Sequence, residues 1–345
     1  MTLPFRFKRL LVFGLLGSLA AASLLADTAA SDQPARRPNI IFFLADDLGQ
    51  GDVGVYGQQK ISTPRIDRMA AEGTRYLQAY AGSGSCTPSR SSLLTGLHTG
   101  HGPIRANREL KPSGQMPWPA DTFNVARMLK DVGYATACTG KWGLGPVDST
   151  GNPLQHGFDH FFGYNCQRHA QSYFPTFLYN DDEVVRLPLN DDKNVGHIYA
   201  PDVIAQDTLQ WIREQKDQTF FLFYAMTLPH GWRQIHDQGE YALREGWTDE
   251  QKTYAAMVTR MDHELGRMLD LLVELGIDEN TLVIFAGDNG TTSKDGSEFS
   301  EFFDQTMGGR RPVVGVLPRR RPGTSTRNLL LGNSRTGLDP SRSLR

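Results

Sequence analysis

The chain has 345 residues, 39% hydrophobic and 21% charged, with 36 Lys and Arg against 38 Asp and Glu. These proportions describe a globular, enzyme-sized protein and exclude a disordered linker, a collagen-like or multi-span membrane chain, and a generally basic nucleic-acid binder. The charge is unevenly spread: residues 306–345 hold nine Arg and one Asp, with no Lys and no aromatic residue, so residues 1–305 carry a net charge of −10.

At the N-terminus Arg6, Lys8 and Arg9 precede an apolar run from Leu10 to Ala26, followed by the small residues Thr28, Ala29 and Ala30. This pattern predicts a secretory signal peptide over residues 1–30 and export to the periplasm or the extracellular space. A run of about 17 residues interrupted by Gly14, Gly17 and Ser18 is short for a stable membrane anchor. No Cys follows it to carry a lipid. A polar linker ending at Pro38 leads into alternating strand-like and helical patterns. Strands are expected at Asn39–Ala45, Ala135–Thr139, Phe220–Ala225 and Thr281–Ala286, short apolar runs of the kind buried on both faces of a parallel sheet. A helix is expected near Asp121–Asp131, with Phe123, Ala126 and Leu129 at helical spacing. A second, over Tyr254–Leu275, carries Met257, Met261, Leu265, Met268 and Leu272 on one stripe that reads as core. The interleaving predicts an α/β fold, a mainly parallel central sheet with helices on both faces.

In such sheets ligands bind beyond the carboxyl ends of the strands. Asn39–Ala45 ends in Asp46-Asp47, Ala135–Thr139 in Gly140-Lys141, Phe220–Ala225 leads to His230, and Thr281–Ala286 leads to Asp288-Asn289. Two acidic and two basic ends point to a single site. Asp46, Asp47, Asp288 and the amide oxygen of Asn289 form an all-oxygen set suited to a hard cation, Ca²⁺ or Mg²⁺, rather than zinc. In Ser85-Cys86-Thr87-Pro88-Ser89-Arg90, running to Leu93-Leu94 and Gly96, a helix is expected to begin just after Cys86 and to present free backbone N–H groups to an anion. Taken alone, Cys86 there reads equally well as a thiol nucleophile of lowered pKa. Three cysteines, Cys86, Cys138 and Cys166, allow one disulfide at most and leave one thiol over.

Cys86-Thr87-Pro88-Ser89-Arg90 resembles the C-x-P-S-R signature of the type I sulfatases, in which the Cys is oxidised after translation to formylglycine. Pro38-Asn39-Ile40-Ile41 through Asp46-Asp47-Leu48-Gly49, Gly51-Asp52, Thr63-Pro64-Arg65-Ile66-Asp67, Gly133-Tyr134 through Gly140-Lys141-Trp142, Gly157-Phe158-Asp159, Thr227-Leu228-Pro229-His230 and Gly287-Asp288-Asn289-Gly290 are similar to further family segments in their order. The likeness covers roughly residues 38–305. It implies an alkaline phosphatase-like fold and hydrolysis of the sulfate ester of a small molecule or carbohydrate, after modification by a formylglycine-generating enzyme. By the same resemblance Asp46, Asp47, Asp288 and Asn289 bind Ca²⁺ with an oxygen of modified Cys86, Arg90 and Lys141 hold the aldehyde hydrate and the sulfate, and His230 contacts the sulfate or the leaving oxygen.

Two departures stand out. Gly143 follows Lys141-Trp142 where the family usually has a His that assists the aldehyde hydrate, and His169 is the nearest expected substitute. From about Thr306 the likeness stops. Arg-only basicity, with many Gly, Pro and Ser, reads as a tail out of frame with the gene, so the expected organisation is an incomplete catalytic domain over 31–305, a tail over 306–345, and no small C-terminal domain. The competing functions are a phosphate or phosphonate ester hydrolase of the same superfamily, and a non-catalytic calcium- or anion-binding remnant.

Overall fold

The computed structural model describes residues 37–110, 114–191, 193, 196–291 and the backbone of 313–316. The expected signal peptide, its linker and most of the Arg-rich segment lie outside these residues. The chain divides into two units, Met1–Pro38 and Asn39–Arg345, and the sheet belongs to the second.

In chain order the elements are β1 (Asn39–Ala45), helix α1 (Pro64–Glu72), β2 (Thr74–Arg75), α2 (Cys86–Thr95), the short pair β3 (Glu109–Leu110) and β4 (Gly114–Gln115), α3 (Val125–Asp131), β5 (Ala135–Lys141), β6 (His160–Tyr164), β7 (Phe177–Asn180), β8 (Glu183–Arg186), α4 (Ala200–Glu214), β9 (Phe220–Ala225), α5 (Asp249–Glu274), β10 (Thr281–Gly287) and β11 (Val313–Val316). Nine strands form one sheet in the order β2-β11-β10-β1-β9-β5-β6-β7-β8. The five central strands, β10 to β6, run parallel, while β11, β2, β7 and β8 join the two edges antiparallel.

The central strands are apolar throughout because both of their faces are covered. Along β1, Ile41, Phe43 and Ala45 enter one cluster with α1, α4 and α5, whereas Leu44 enters a second with α2 and α3. β9 alternates likewise, Phe220, Leu222 and Tyr224 against Phe221, Phe223 and Ala225. Period-two geometry thus turns an unbroken apolar run into two cores, as the α/β expectation requires.

Two element boundaries differ from expectation for local reasons. α3 begins at Val125 rather than Asp121, because Asn124 caps it, accepting hydrogen bonds from the amides of Ala126 and Arg127. Phe123 therefore lies outside the helix and is exposed. α5 starts at Asp249, five residues early, through a capping box between Thr248 and Gln251. Its stripe Met257, Met261, Leu265, Met268 and Leu272 is buried in the first core. β11, beyond the boundary placed at residue 305, pairs with β10. Among the described residues no helix is long and apolar enough to cross a membrane.

Candidate functional site

Strand register builds the site. Ala45 pairs with Gly287, Leu44 with Ala225 and Gly140 with Ala225, so four strands end at one level. The pairing continues one residue further, the amide of Asp288 donating to the Ala45 carbonyl at 2.9 Å and that of Asp46 to the Leu228 carbonyl at 3.1 Å. Asp46 and Asp288 are thereby set side by side. Asp47 follows in a left-handed conformation, φ 59°, its amide donating to Asp288 Oδ1 at 3.0 Å.

α2 brings the remaining groups. Its extended N-cap Ser85 turns the chain into the helix at Cys86, and Gly96, φ 70°, ends it, its amide donating a hydrogen bond to the Ser92 carbonyl. Cys86, Thr87, Pro88, Ser89, Arg90 and Ser91 are all buried, because this helix points its polar first turns into the site. One atom from each of Asp46, Asp47, Cys86 and His230 lies within 4.8 Å of the others. Arg90 is fully buried beneath them, Nη2 at 3.2 Å from Asp46 Oδ1 and 3.0 Å from Asp288 Oδ2, with Nη1 donating to the Lys141 carbonyl at 2.7 Å. Lys141, equally buried, donates from Nζ to Asp46 Oδ2 at 2.6 Å. Both cations thus engage the carboxylates.

Three carboxylates face two fixed cations, and the imbalance shows in their acidities. Burial tends to raise Asp46, but Lys141 and Arg90 beside it outweigh that and hold it below the usual carboxylate range. Asp47 is pushed up to about 7 by burial, then by the charges of Asp46 and Asp288. Asp288 rises to about 6 by burial and then by Asp46. Burial, then Lys141, keeps the His230 imidazole neutral.

This donor set fits a hard divalent cation. The side-chain oxygen of Asn289 is buried without a hydrogen-bond partner while its Nδ2 donates to Asp47 Oδ1 at 2.6 Å; Asp46 Oδ1 has the Arg90 charge nearby but no aligned hydrogen bond. Oriented oxygens with surplus negative charge are what such a cation coordinates.

Two sequence expectations are corrected. The first turn of α2 does not offer a row of free amides: that of Thr87 donates to Asn107 Oδ1, Pro88 has none, and that of Ser89 bonds the Ser85 carbonyl. Nor is Cys86 a lowered-pKa thiol. Burial comes first, and with Asp46, Asp288 and Asp47 it outweighs Lys141 and raises the thiol well above its ordinary value. All three cysteines are free and buried.

His169 is not brought to the cluster by any contact. Its Nε2 lies 2.8 Å from the Phe177 carbonyl and its ring packs on Tyr164 and Phe177; burial lowers its pKa to about 4. The space facing Gly143 is filled by Gln167 instead: a Cβ on Gly143 would stand 2.6 Å from Gln167 Nε2. Sequence reasoning missed Gln167 and also Asn107. A glycine at the end of a buried strand segment was the one available signal that another side chain closes in there.

The Sulfatase family model matches residues 38–312. The N-acetylgalactosamine-6-sulfatase of Canis lupus familiaris is 34% identical over 334 residues, covering 88% of this chain and 60% of that relative. The N-acetylgalactosamine-6-O-sulfatase of Bacteroides thetaiotaomicron is 29% identical, with 81% of this chain and 64% of that relative covered. Among solved structures, Ps i-CgsB superposes with a TM-score of 0.69 at 26% identity over 82% of this chain and 66% of that one, and it has also been solved in complex with k-i-k-neocarrahexaose. The chain spans less than two thirds of the length of these curated relatives. With four strand ends, the Cys86 helix and the family match in agreement, the chain belongs to the sulfatase family, as a type I sulfatase of the alkaline phosphatase superfamily.

Proposed function

We propose that the protein hydrolyses the sulfate ester of a carbohydrate, consuming water and releasing an alcohol and sulfate, with residue 86 as formylglycine and Ca²⁺ held by Asp46, Asp47, Asp288 and Asn289. The observation that carries this reading is the side chain of residue 86 set against Asp46, Asp47 and His230 in one buried cluster. The names of the two relatives and the carbohydrate bound to Ps i-CgsB support a sulfated sugar. The basic and apolar N-terminal pattern supports export, and Pro88 and Arg90 after Cys86 support recognition by a formylglycine-generating enzyme.

The raised pKa of the Cys86 thiol leaves it protonated, so unmodified Cys86 is a poor nucleophile. A hydrated aldehyde at this position supplies one hydroxyl to attack sulfur and a second whose deprotonation expels sulfate. A bound Ca²⁺ supplies charge stabilisation for sulfuryl oxygens. Asp46, Asp47, Asp288 and Asn289 hold that cation. Arg90 braces Asp46 and Asp288 through its fork, and Lys141 fixes the other oxygen of Asp46, so both act by keeping the carboxylates oriented. Neutral His230, its Nε2 3.7 Å from Asp47 Oδ2, is placed to hydrogen-bond the leaving oxygen, and it protonates that oxygen only after taking up a proton itself.

The test uses protein made in a host with the modifying machinery. Sulfate release from N-acetylgalactosamine 6-sulfate, a sulfated oligosaccharide and an aryl sulfate is measured beside phosphate release from aryl phosphate. Preference for sulfate esters, lost on chelation and restored by Ca²⁺, is expected. Faster release of phosphate would assign the site to phosphoryl transfer. Calcium binding without turnover, in chain shown by mass spectrometry to carry the aldehyde, would make it a binding remnant.

A further inference from the structure

Between Gly143 and Thr87 lies a polar contact that the reaction as described does not use. Gln167 is buried, 9% exposed, and its Nε2 donates to Thr87 Oγ1 at 3.0 Å. Its own amide donates to Gln115 Oε1 at 3.2 Å. Thr87, fully buried, is the residue after Cys86, and its amide is held by Asn107 Oδ1 at 3.0 Å. The amide and the hydroxyl of Thr87 are thus both held from outside α2.

Gly143 makes the room. Its φ of 74° is a conformation that side chains disfavour, and a Cβ would overlap the Gln167 amide. Past β5 the chain stays pinned beside the end of β6, Trp142 N–H to Tyr164 O at 2.9 Å and Gly143 N–H to Asn165 O at 3.3 Å, and Lys141 stands two residues earlier on Asp46. One short connection therefore joins the strand end carrying Lys141, the loop after β6, and the helical turn carrying residue 86. A buried amide persists only where it is hydrogen-bonded, so removing either partner strands the other.

We propose that Gln167 is a positioning residue for side chain 86: through Thr87 Oγ1 it locks the first turn of α2 so that residue 86 faces Asp46, Asp47 and His230. Because the amide does not ionise, the lock is the same at every working pH. The inference rests on the sulfatase reading for its kinetic consequence but not for its geometry.

The experiment is a double-mutant cycle with two readouts. Gln167→Met keeps the bulk without the donor, and Thr87→Val keeps the shape without the acceptor. In aldehyde-bearing protein, with rates divided by measured aldehyde content, each single variant lowers kcat for an aryl sulfate by about tenfold or more while KM stays within about twofold. The double variant is no slower than the slower single, since both remove the same bond. In unmodified protein, the rate at which iodoacetamide alkylates Cys86, followed on its peptide by mass spectrometry, rises severalfold in each variant. Additive losses in kcat, or singles that leave both kcat and alkylation at wild-type values, overturn the lock. If the wild type hydrolyses no sulfate ester, the functional reading falls and the alkylation series alone decides the role of Gln167. Equal alkylation in all four proteins then rejects it.

Discussion

A buried cluster of three carboxylates is stable only with compensating charge, and here Arg90 and Lys141 supply two of the three positive charges needed. Asp288→Asn preserves shape and removes one negative charge, and its calcium affinity, followed by titration calorimetry, is expected to fall at least about tenfold. Unchanged affinity would place the cation elsewhere. Cys86→Ala is expected to lower sulfate ester turnover by more than about a thousandfold with the melting temperature little changed, since the side chain removed is small. Peptide mass spectrometry on wild-type protein from a modifying host should show the aldehyde at residue 86; only free thiol there would end the covalent scheme. Asp46, Asp47, Lys141, His230, Asp288 and Asn289 could be named from the sequence because each follows a recognisable strand, and Cys86 because it opens a recognisable helix, whereas Arg90 entered only through the resemblance to the family signature. The engagement of Arg90 and Lys141 with Asp46 and Asp288 could not, since that depends on distances between a helix and strand ends up to 198 residues apart in the chain.

At the scale of elements, the site depends on strands ending at one level and on α2 entering at one angle. Gly140, φ 97°, packs so closely that a Cβ would stand 1.9 Å from the backbone oxygen of Ala225. Gly140→Ala should therefore part β5 from β9 and yield little soluble protein, judged by the soluble fraction and circular dichroism; a well-folded variant would show that this pairing tolerates displacement. A milder probe is the cap of α3. Asn124→Ala removes the acceptor for two helix amides and should cost about 1 kcal/mol in urea unfolding. A midpoint equal to wild type would mean that packing of Ala126 and Leu129, not the cap, holds the helix. Caps explain the two misplaced helix starts, because side-chain bonding to backbone at Asn124 and Thr248 overrides hydrophobic spacing at the ends of elements.

For the molecule as a whole, an ion-pair group that joins β6, α4 and the turn between β7 and β8 makes stability depend on pH. His160 on β6 lies between Asp207 of α4, 3.0 Å from Nε2, and Asp181, 3.3 Å from Nδ1. Burial opposes its charge, but the two carboxylates outweigh burial and raise its pKa above the unfolded value of 6.5. A raised folded pKa stabilises the fold fully below pH 6.5, and the contribution fades as pH rises through the folded pKa. His160→Gln should therefore cost more stability at pH 5.5 than at pH 8.5, measured by urea unfolding at both. The same cost at both would mean that the imidazolium pair adds nothing to the fold.

Sequence alone determined four of the five central strands, β1, β5, β9 and β10, and their order along the chain, the apolar content of β1, β9 and β10, the start of α2 at the family signature, and the polar residues at each of those strand ends. Those features are local, written in periodicity and in the residues that interrupt it. Tertiary structure decided the rest. It set the spatial order β10-β1-β9-β5, which places Asp288 beside Asp46. It turned His169 onto Phe177 and put Gln167 against Gly143, and it gave the amide of Thr87 to Asn107. Each of these is a contact between distant segments, whose partners are chosen by sheet register and close packing, and no single stretch of sequence records that choice.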